Sequence, residues 1–347
     1  MSEGTGTRDT ANTDDAELRA ELPGGMDPDA FHTAVISSGY PLQAVVARQL
    51  VEAGFEVWEE WAYTDEESGA RRTLDVVGEW RPSATPHQTS GGVASTTLGL
   101  LVECKQSQHP YVFVEAVAPP AFRQFPPVTG LGTGLMTVQP ATGDGTEWRW
   151  SSAPYEVKVP ITQFLELLGH EFVTQPVVVS SFTKAIPKGK KVEMSGEEPY
   201  RALLLPLTKA LDYYWSHHQE HAGGSAVLRL PIAVAVVDAP MVLVRASDHP
   251  VDAQPVRWVR AVVRRPLDQH YDRERWYTPE FDVVDIVHGS FFERYLSDFV
   301  KPYGAVFWDQ LTQHQDCVLS VSVQIEGLVE GEGLPDNHLA LARPTRH

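Results

Sequence analysis

TLDVVGEW at residues 73–80 and TLGLLVECK at residues 97–105 decide the reading of this chain. Both are built as strands: Leu74, Val76 and Val77 in the first, and the run Leu98, Leu100, Leu101 and Val102 in the second. The second run is apolar on both faces, which marks a central strand. Yet the first carries Asp75, and the second ends on Glu103 and Lys105. Side chains two apart in a strand share a face, so Glu103 and Lys105 point one way and Cys104 points the other, with Leu100 and Val102. FEVWEEWAY (55–63) and the turn TDEESGARR (64–72) precede the first strand and make a hairpin with it. A polar loop, 81–96, leads to the second. If the two strands are neighbours, Asp75 and Glu103 approach one another.

Two converging carboxylates repel, and in a partly buried site they are costly unless a cation joins them. Magnesium suits such a pair, since it takes one or two carboxylates, several waters and substrate phosphate. Lys105 beside that cation could position or deprotonate an attacking water, and its charge would stabilise a phosphorane-like transition state. The plain alternative is an internal ion pair at a strand end, because cross-strand opposite charges are ordinary.

Upstream, SGYPLQAVVARQLVEAGFEV (38–57) carries a helix signature. Ser37, Ser38 or Gly39 is the cap, Pro41 suits the first turn, and Gly54 suits the exit. Leu42, Val45, Val46, Leu50 and Val51 form the apolar stripe. Together, this helix and the pair LDVVGEW … LGLLVECK resemble the PD-(D/E)XK nuclease superfamily. The resemblance implies a restriction-endonuclease-like fold, an α/β/α sandwich around a mixed central sheet. It implies a metal-dependent phosphodiesterase acting on nucleic acid, DNA before RNA, with Mg²⁺ or Mn²⁺ as cofactor. Asp75 and Glu103 would ligate the metal, with the Cys104 main-chain carbonyl as a further ligand, and Lys105 would assist the water. Where the family often has a glutamate near the start of the opening helix, this chain has Gln43, which can orient water or bind a metal weakly but brings no charge. The other readings are a catalytically weakened member acting as a nucleic-acid or protein binding module, and an unrelated α/β protein in which Asp75 and Glu103 face opposite sides of the sheet.

The rest of the chain fills one domain, 30–327, between an acidic N-terminal tail (1–29) and a loose C-terminal tail (328–347). Structure is expected to begin near Phe31. Residues 119–158, rich in Pro, Gly and Trp, read as an irregular insertion. Residues 161–172 read as a short helix, 176–186 as a strand, and 199–218 as a long helix kinked at Pro206. Residues 226–244 read as one or two strands, 256–266 as another, and 280–311 as a strand followed by a helix. The 347 residues carry a net charge of −18, of which the tail holds eight acidic and two basic side chains. Such a protein has no general attraction for nucleic acid, which excludes a simple DNA-coating role. Local basic groups are therefore the candidate phosphate contacts: Arg71 and Arg72 before Asp75, and Lys184, Lys188, Lys190 and Lys191 in FTKAIPKGKK. Arg260, Arg264 and Arg265 read equally as phosphate contacts or internal partners.

Gln106, Gln108 and His109 form a polar strand exit. His217, His218 and His221 lie at a helix end without the glutamate order of a metalloprotease. GLGTGLMT (130–137) is a flexible loop with no phosphate-binding lysine after it. Two cysteines, Cys104 and Cys317, exclude a zinc finger and read as reduced thiols. No apolar run is long enough to cross a bilayer, and the polar start lacks a signal peptide. The expected location is the cytoplasm, with a partner protein as one route of targeting.

Overall fold

A computed structural model describes residues 22, 24, 26–82, 87–89, 92–119, 125–130, 135–140, 148–149, 157–218, 225–245, 252–264 and 281–314. The first helix begins before Phe31. Asp27 Oδ2 accepts from Ala30 N at 3.0 Å and Pro28 follows, so an acidic N-cap and a proline in the first turn start helix α1, Pro28–Ser37, inside the segment read as tail. Helix α2, Tyr40–Glu52, starts on Gly39 at φ 87°, with no side-chain cap from either serine. Its buried face is Gln43, Val46, Ala47 and Leu50. Val45 and Val51 are exposed, so the stripe is rotated from the one read in the sequence, and it takes in a polar residue.

Strands β1 (Glu56–Thr64) and β2 (Arg71–Trp80) form the expected hairpin, and β2 pairs antiparallel with β3 (Gly92–Gln106). Strand β4, Tyr111–Glu115, is separate from β3. Then come β5 (Val177–Lys188), helix α3 (Leu205–His217), β6 (Ser225–Asp238), β7 (Met241–Arg245), β8 (Trp258–Arg264), β9 (Phe281–His288) and helix α4 (Lys301–Gln313). Among the described residues, a mixed 12-stranded sheet runs β1-β2-β3-β6-β9-β8-β5-β4-β7 and ends on Asp252–Pro255, with short strands beside β3 and β5. The β3–β6 and β6–β9 pairs are parallel.

Chain reach requires this sheet to curl. β6 and β7 stand five places apart, which is about 24 Å in a flat sheet, yet only Ala239 and Pro240 join them, a reach of about 10 Å. The β3–β6 pair therefore runs on into the β4–β7 pair. Ser107 N donates to Asp238 O and Tyr111 N to Pro240 O across the junction.

Helices cover both faces. Val46 and Leu50 of α2, with Phe292, Tyr303 and Phe307 near the C-terminal helix, pack on Leu98, Leu100, Val102 and Cys104. Leu207, Ala210, Leu211 and Tyr214 of α3 pack on Leu101, Ala233 and Ala235 from the other side. Both α3 and α4 carry proline in the first turn, Pro206 and Pro302, and both follow a wide π-type turn, Tyr200–Leu204 and Tyr295–Val300. A proline cannot donate the backbone hydrogen bond of that turn, so the helix widens there instead of breaking. The short helix read at 161–172 is three pieces, Ile161–Phe164, Leu167–Gly169 and Glu171–Thr174, interrupted where Glu166 takes φ 56°. In the segment read as an insertion, Leu135–Pro140, Trp148–Arg149 and Val157–Pro160 form a separate three-stranded sheet, and Thr129 bridges Arg229 of β6. The C-terminal tail 328–347 and most of the N-terminal tail lie outside the described residues.

Candidate functional site

Asp75 occupies a break in the sheet. The β1–β2 ladder pairs Glu59 with Val76 and Trp61 with Leu74 but skips Glu60 and Asp75. The β2–β3 ladder stops at Val76 and Val102, one step short of Asp75 and Glu103. The faces reverse at the same place. Val57 and Val76 belong to the core under α2, whereas Trp61 and Leu74 belong to the core under α3. Residues two apart share a face only while a strand is regular. The pair Glu60 and Asp75 is therefore the pivot about which both strands turn over, and Glu60 carries the conformational change, with φ 50°.

The opened ladder leaves main-chain groups that need partners. The Asp75 carboxylate takes one, with Oδ2 accepting from Cys104 N at 2.7 Å. Gln43 of α2 takes another, its Nε2 donating to the Asp75 carbonyl at 3.2 Å and also to Glu60 Oε1 at 3.2 Å. On β3, Lys105 Nζ meets Glu103 Oε1 at 2.5 Å, so these two share a face. Cys104 is a free, buried thiol in the opposite core. The structure thus brings Gln43, Asp75, Glu103 and Lys105 together around Cys104 N–H. Asp75 meets the Glu103–Lys105 segment through its carboxylate on Cys104 N–H, just past the end of the β2–β3 ladder.

The electrostatics are unbalanced. Glu103 is 5 % exposed, and burial, reinforced by the Asp75 charge, pushes it up to about 7. Burial also raises Asp75, against the Cys104 N–H and the Lys105 charge, which lower it. Burial alone would lower the Lys105 ammonium, but Glu103 and Asp75 outweigh it and hold the group above its ordinary range. One ammonium thus faces two desolvated carboxylates. Hard oxygen donors with an uncompensated negative charge suit Mg²⁺, which needs no more than two carboxylates from the protein. Among the described residues, no three His, Cys, Asp or Glu side chains converge as a ready-made metal cage. The carboxylates Asp75 and Glu103 are therefore the donors that fit, with water and phosphate oxygens to complete the shell.

The basic candidates divide. Arg72 pairs with the buried Asp65 at 3.0 Å, and Lys184 and Lys188 pair with Glu198 and Glu193. Arg71, Lys190 and Lys191 are exposed. Lys184 stands opposite Tyr111, the first residue of β4, which four intervening residues separate from the end of β3, so the lysine ribbon is tied to the exit of β3. At that exit Gln106 Nε2 donates to Asp238 and Ser107 turns onto His109. Arg260 is an internal residue, fully buried against Asp285. The ring nitrogens of His217 and His218 contact the Tyr213 and Tyr214 carbonyls, which accounts for both histidines structurally. His221, Arg265, Cys317 and residues 131–134 of the glycine loop lie outside the described residues. A cavity of about 500 Å³ opens at the other end of β2, beside Trp80 and Lys301, away from the carboxylates.

Glu60 is the site residue that the sequence did not reveal. It sits beside Glu56 and Glu59 in a segment read only as a strand, and its left-handed backbone sets it apart from them. No protein-family model, curated protein or solved structure gives a significant match to this chain.

Proposed function

We propose that this protein is a Mg²⁺-dependent nuclease of the restriction-endonuclease-like fold, hydrolysing phosphodiester bonds in DNA. The carrying observation is the Asp75 carboxylate, turned by a sheet break onto Cys104 N–H beside the buried Glu103 and its half-buried partner Lys105. Asp75 and Glu103 would hold the cation, with the Cys104 carbonyl as a further donor. A cation bound there supplies Lewis acidity, lowering the pKa of bound water and neutralising charge at phosphorus. The protein's own part is positional. Cys104 N–H fixes one Asp75 oxygen, so the other is free to turn toward a ligand. Lys105 stays an ammonium between its carboxylates, which suits it to hold a phosphate oxygen and to stabilise charge in the transition state more than to take a proton. Lys190 and Lys191, exposed at the turn of the lysine ribbon, would meet the nucleic-acid backbone, since Lys184 and Lys188 are paired with glutamates.

The experiment is plasmid and oligonucleotide cleavage in Mg²⁺ or Mn²⁺ by the wild type, Asp75→Ala and Lys105→Ala. Metal-dependent cleavage that falls by about 10²–10³-fold in each variant is the expected result. Equal cleavage in all three, or none on any nucleic acid, overturns it. A second reading, a non-catalytic binding module of the same fold, is favoured by the internal pairing of Lys105 with Glu103 and by the neutral Gln43. Calorimetry decides between them: Mg²⁺ or Mn²⁺ binding that vanishes in Glu103→Ala argues for the nuclease.

A further inference from the structure

We propose that Glu60 is a positioning residue, which orients the amide of Gln43 and through it holds the Asp75 main chain at the sheet break. Gln43 Nε2 faces two acceptors, Glu60 Oε1 and the Asp75 carbonyl, at 3.2 Å each. Only the nitrogen of a carboxamide has protons to give, so these two contacts fix which way the amide points. A glutamate at position 43 would set a second carboxylate against Glu60 and against a carbonyl, with no proton for either. Gln43 is the residue that Glu60 demands, and the absence of charge at position 43 follows from the carboxylate on β1.

The backbone supports this assignment. Glu60 is a non-glycine residue at φ 50°, in the left-handed region that L side chains avoid. It lies opposite Asp75 in the β1–β2 register, at the point where both strands exchange faces. The rotation aims the Glu60 side chain at α2, where Gln43 is buried and stays in place. Gln43 then holds the Asp75 carbonyl, and the Asp75 carboxylate lies on Cys104 N–H. The chain of contacts is Glu60, Gln43, Asp75, Cys104, and each link is a hydrogen bond. This deepens the nuclease reading and rests on it for the catalytic consequence, a lower kcat at unchanged KM. The positioning itself does not depend on that reading.

The test is amide hydrogen exchange of Cys104 in the full chain without metal or DNA, comparing wild type, Glu60→Ala, Glu60→Gln and Gln43→Ala. Glu60 is exposed and alanine keeps the same backbone demand, so Glu60→Ala removes the side chain alone. Cys104 exchange about tenfold faster in Glu60→Ala and Gln43→Ala, the size of one hydrogen bond, is the expected result. Glu60→Gln retains an acceptor oxygen and stays within about twofold of wild type, as one preserved hydrogen bond requires. Unchanged Cys104 exchange in Glu60→Ala overturns the proposal. So does equal loss in Glu60→Gln, or an acceleration shared by amides throughout β3 and β6, which would be general destabilisation. Cleavage assays on the same variants are read separately. An inactive wild type would defeat the nuclease reading and leave the exchange result intact, whereas an active wild type with normal Cys104 exchange in Glu60→Ala would do the reverse.

Discussion

Two clusters of buried charge lie in this sheet, and they are built on opposite principles. On β8 and β9, Arg260 and Asp285 face each other in register, both fully buried, with bonds of 2.7 and 2.9 Å. Tyr295 donates to the same carboxylate at 2.8 Å, Arg260 Nη1 donates to the Val173 carbonyl, and the guanidinium lies over Phe125 and Phe172. One cation meets one anion, and aromatic rings seal them. On β2 and β3, one ammonium meets two carboxylates at a place where the ladder has opened. Tyr295 is pushed well above its ordinary range by burial and by Asp285, so its proton stays put, whereas Glu103 is poised near 7. Buried ion pairs return their desolvation cost only when geometry and hydrogen bonding are complete. The first cluster meets that condition by itself. The second sets two carboxylates against one ammonium.

The contrast fails if the two clusters respond alike to losing an anion. Asp285→Ala strands a guanidinium in the core and should destabilise by about 3–5 kcal/mol in urea unfolding. A double change, Arg260→Met with Asp285→Leu, should recover most of that. By contrast, Glu103→Gln measured with chelator at pH 8 removes one of two repelling carboxylates. It should leave stability unchanged or raise it by about 1 kcal/mol, while cleavage is lost. A loss of several kcal/mol in Glu103→Gln would place both clusters in the structural class.

A smaller effect probes the shell of the closed cluster. His170 Nδ1 accepts from Phe172 N at 3.1 Å, and its ring meets Tyr303 edge-on. Burial lowers this histidine below its ordinary 6.5, against the opposing pull of Glu171. The unfolded chain therefore binds the proton first. Stability conferred by the neutral ring is present above pH 6.5 and is lost as pH falls from there through the folded value. His170→Asn keeps an acceptor for Phe172 N and should flatten the change in unfolding free energy between about pH 7 and 5, an effect of about 1 kcal/mol or less. An identical pH profile in the variant would remove His170 from that shell.

Part of the site was legible because it is local. The two-residue period alone placed Glu103 with Lys105 and sent Cys104 to the opposite core, and the hairpin before Asp75 follows from its turn residues. Gln43 was singled out by the family resemblance, which marks that helix position, although the stripe read there missed that it is buried. Glu60 could not be found in this way, since nothing in EVWEEWAY distinguishes one glutamate from the next until the backbone reverses. Arg260 read as a possible phosphate contact because its partner lies 25 residues away.

The sequence by itself determined the central strands, the helix before them and which side chains share a face where a strand is regular, because those depend on neighbours along the chain. Tertiary structure decided that the β2–β3 ladder opens at Asp75, that Glu60 turns left-handed to reach α2, and that Lys184 and Lys188 are neutralised while Arg71, Lys190 and Lys191 are exposed. Those outcomes depend on register between strands and on packing from both faces of a curled sheet, which no local pattern encodes.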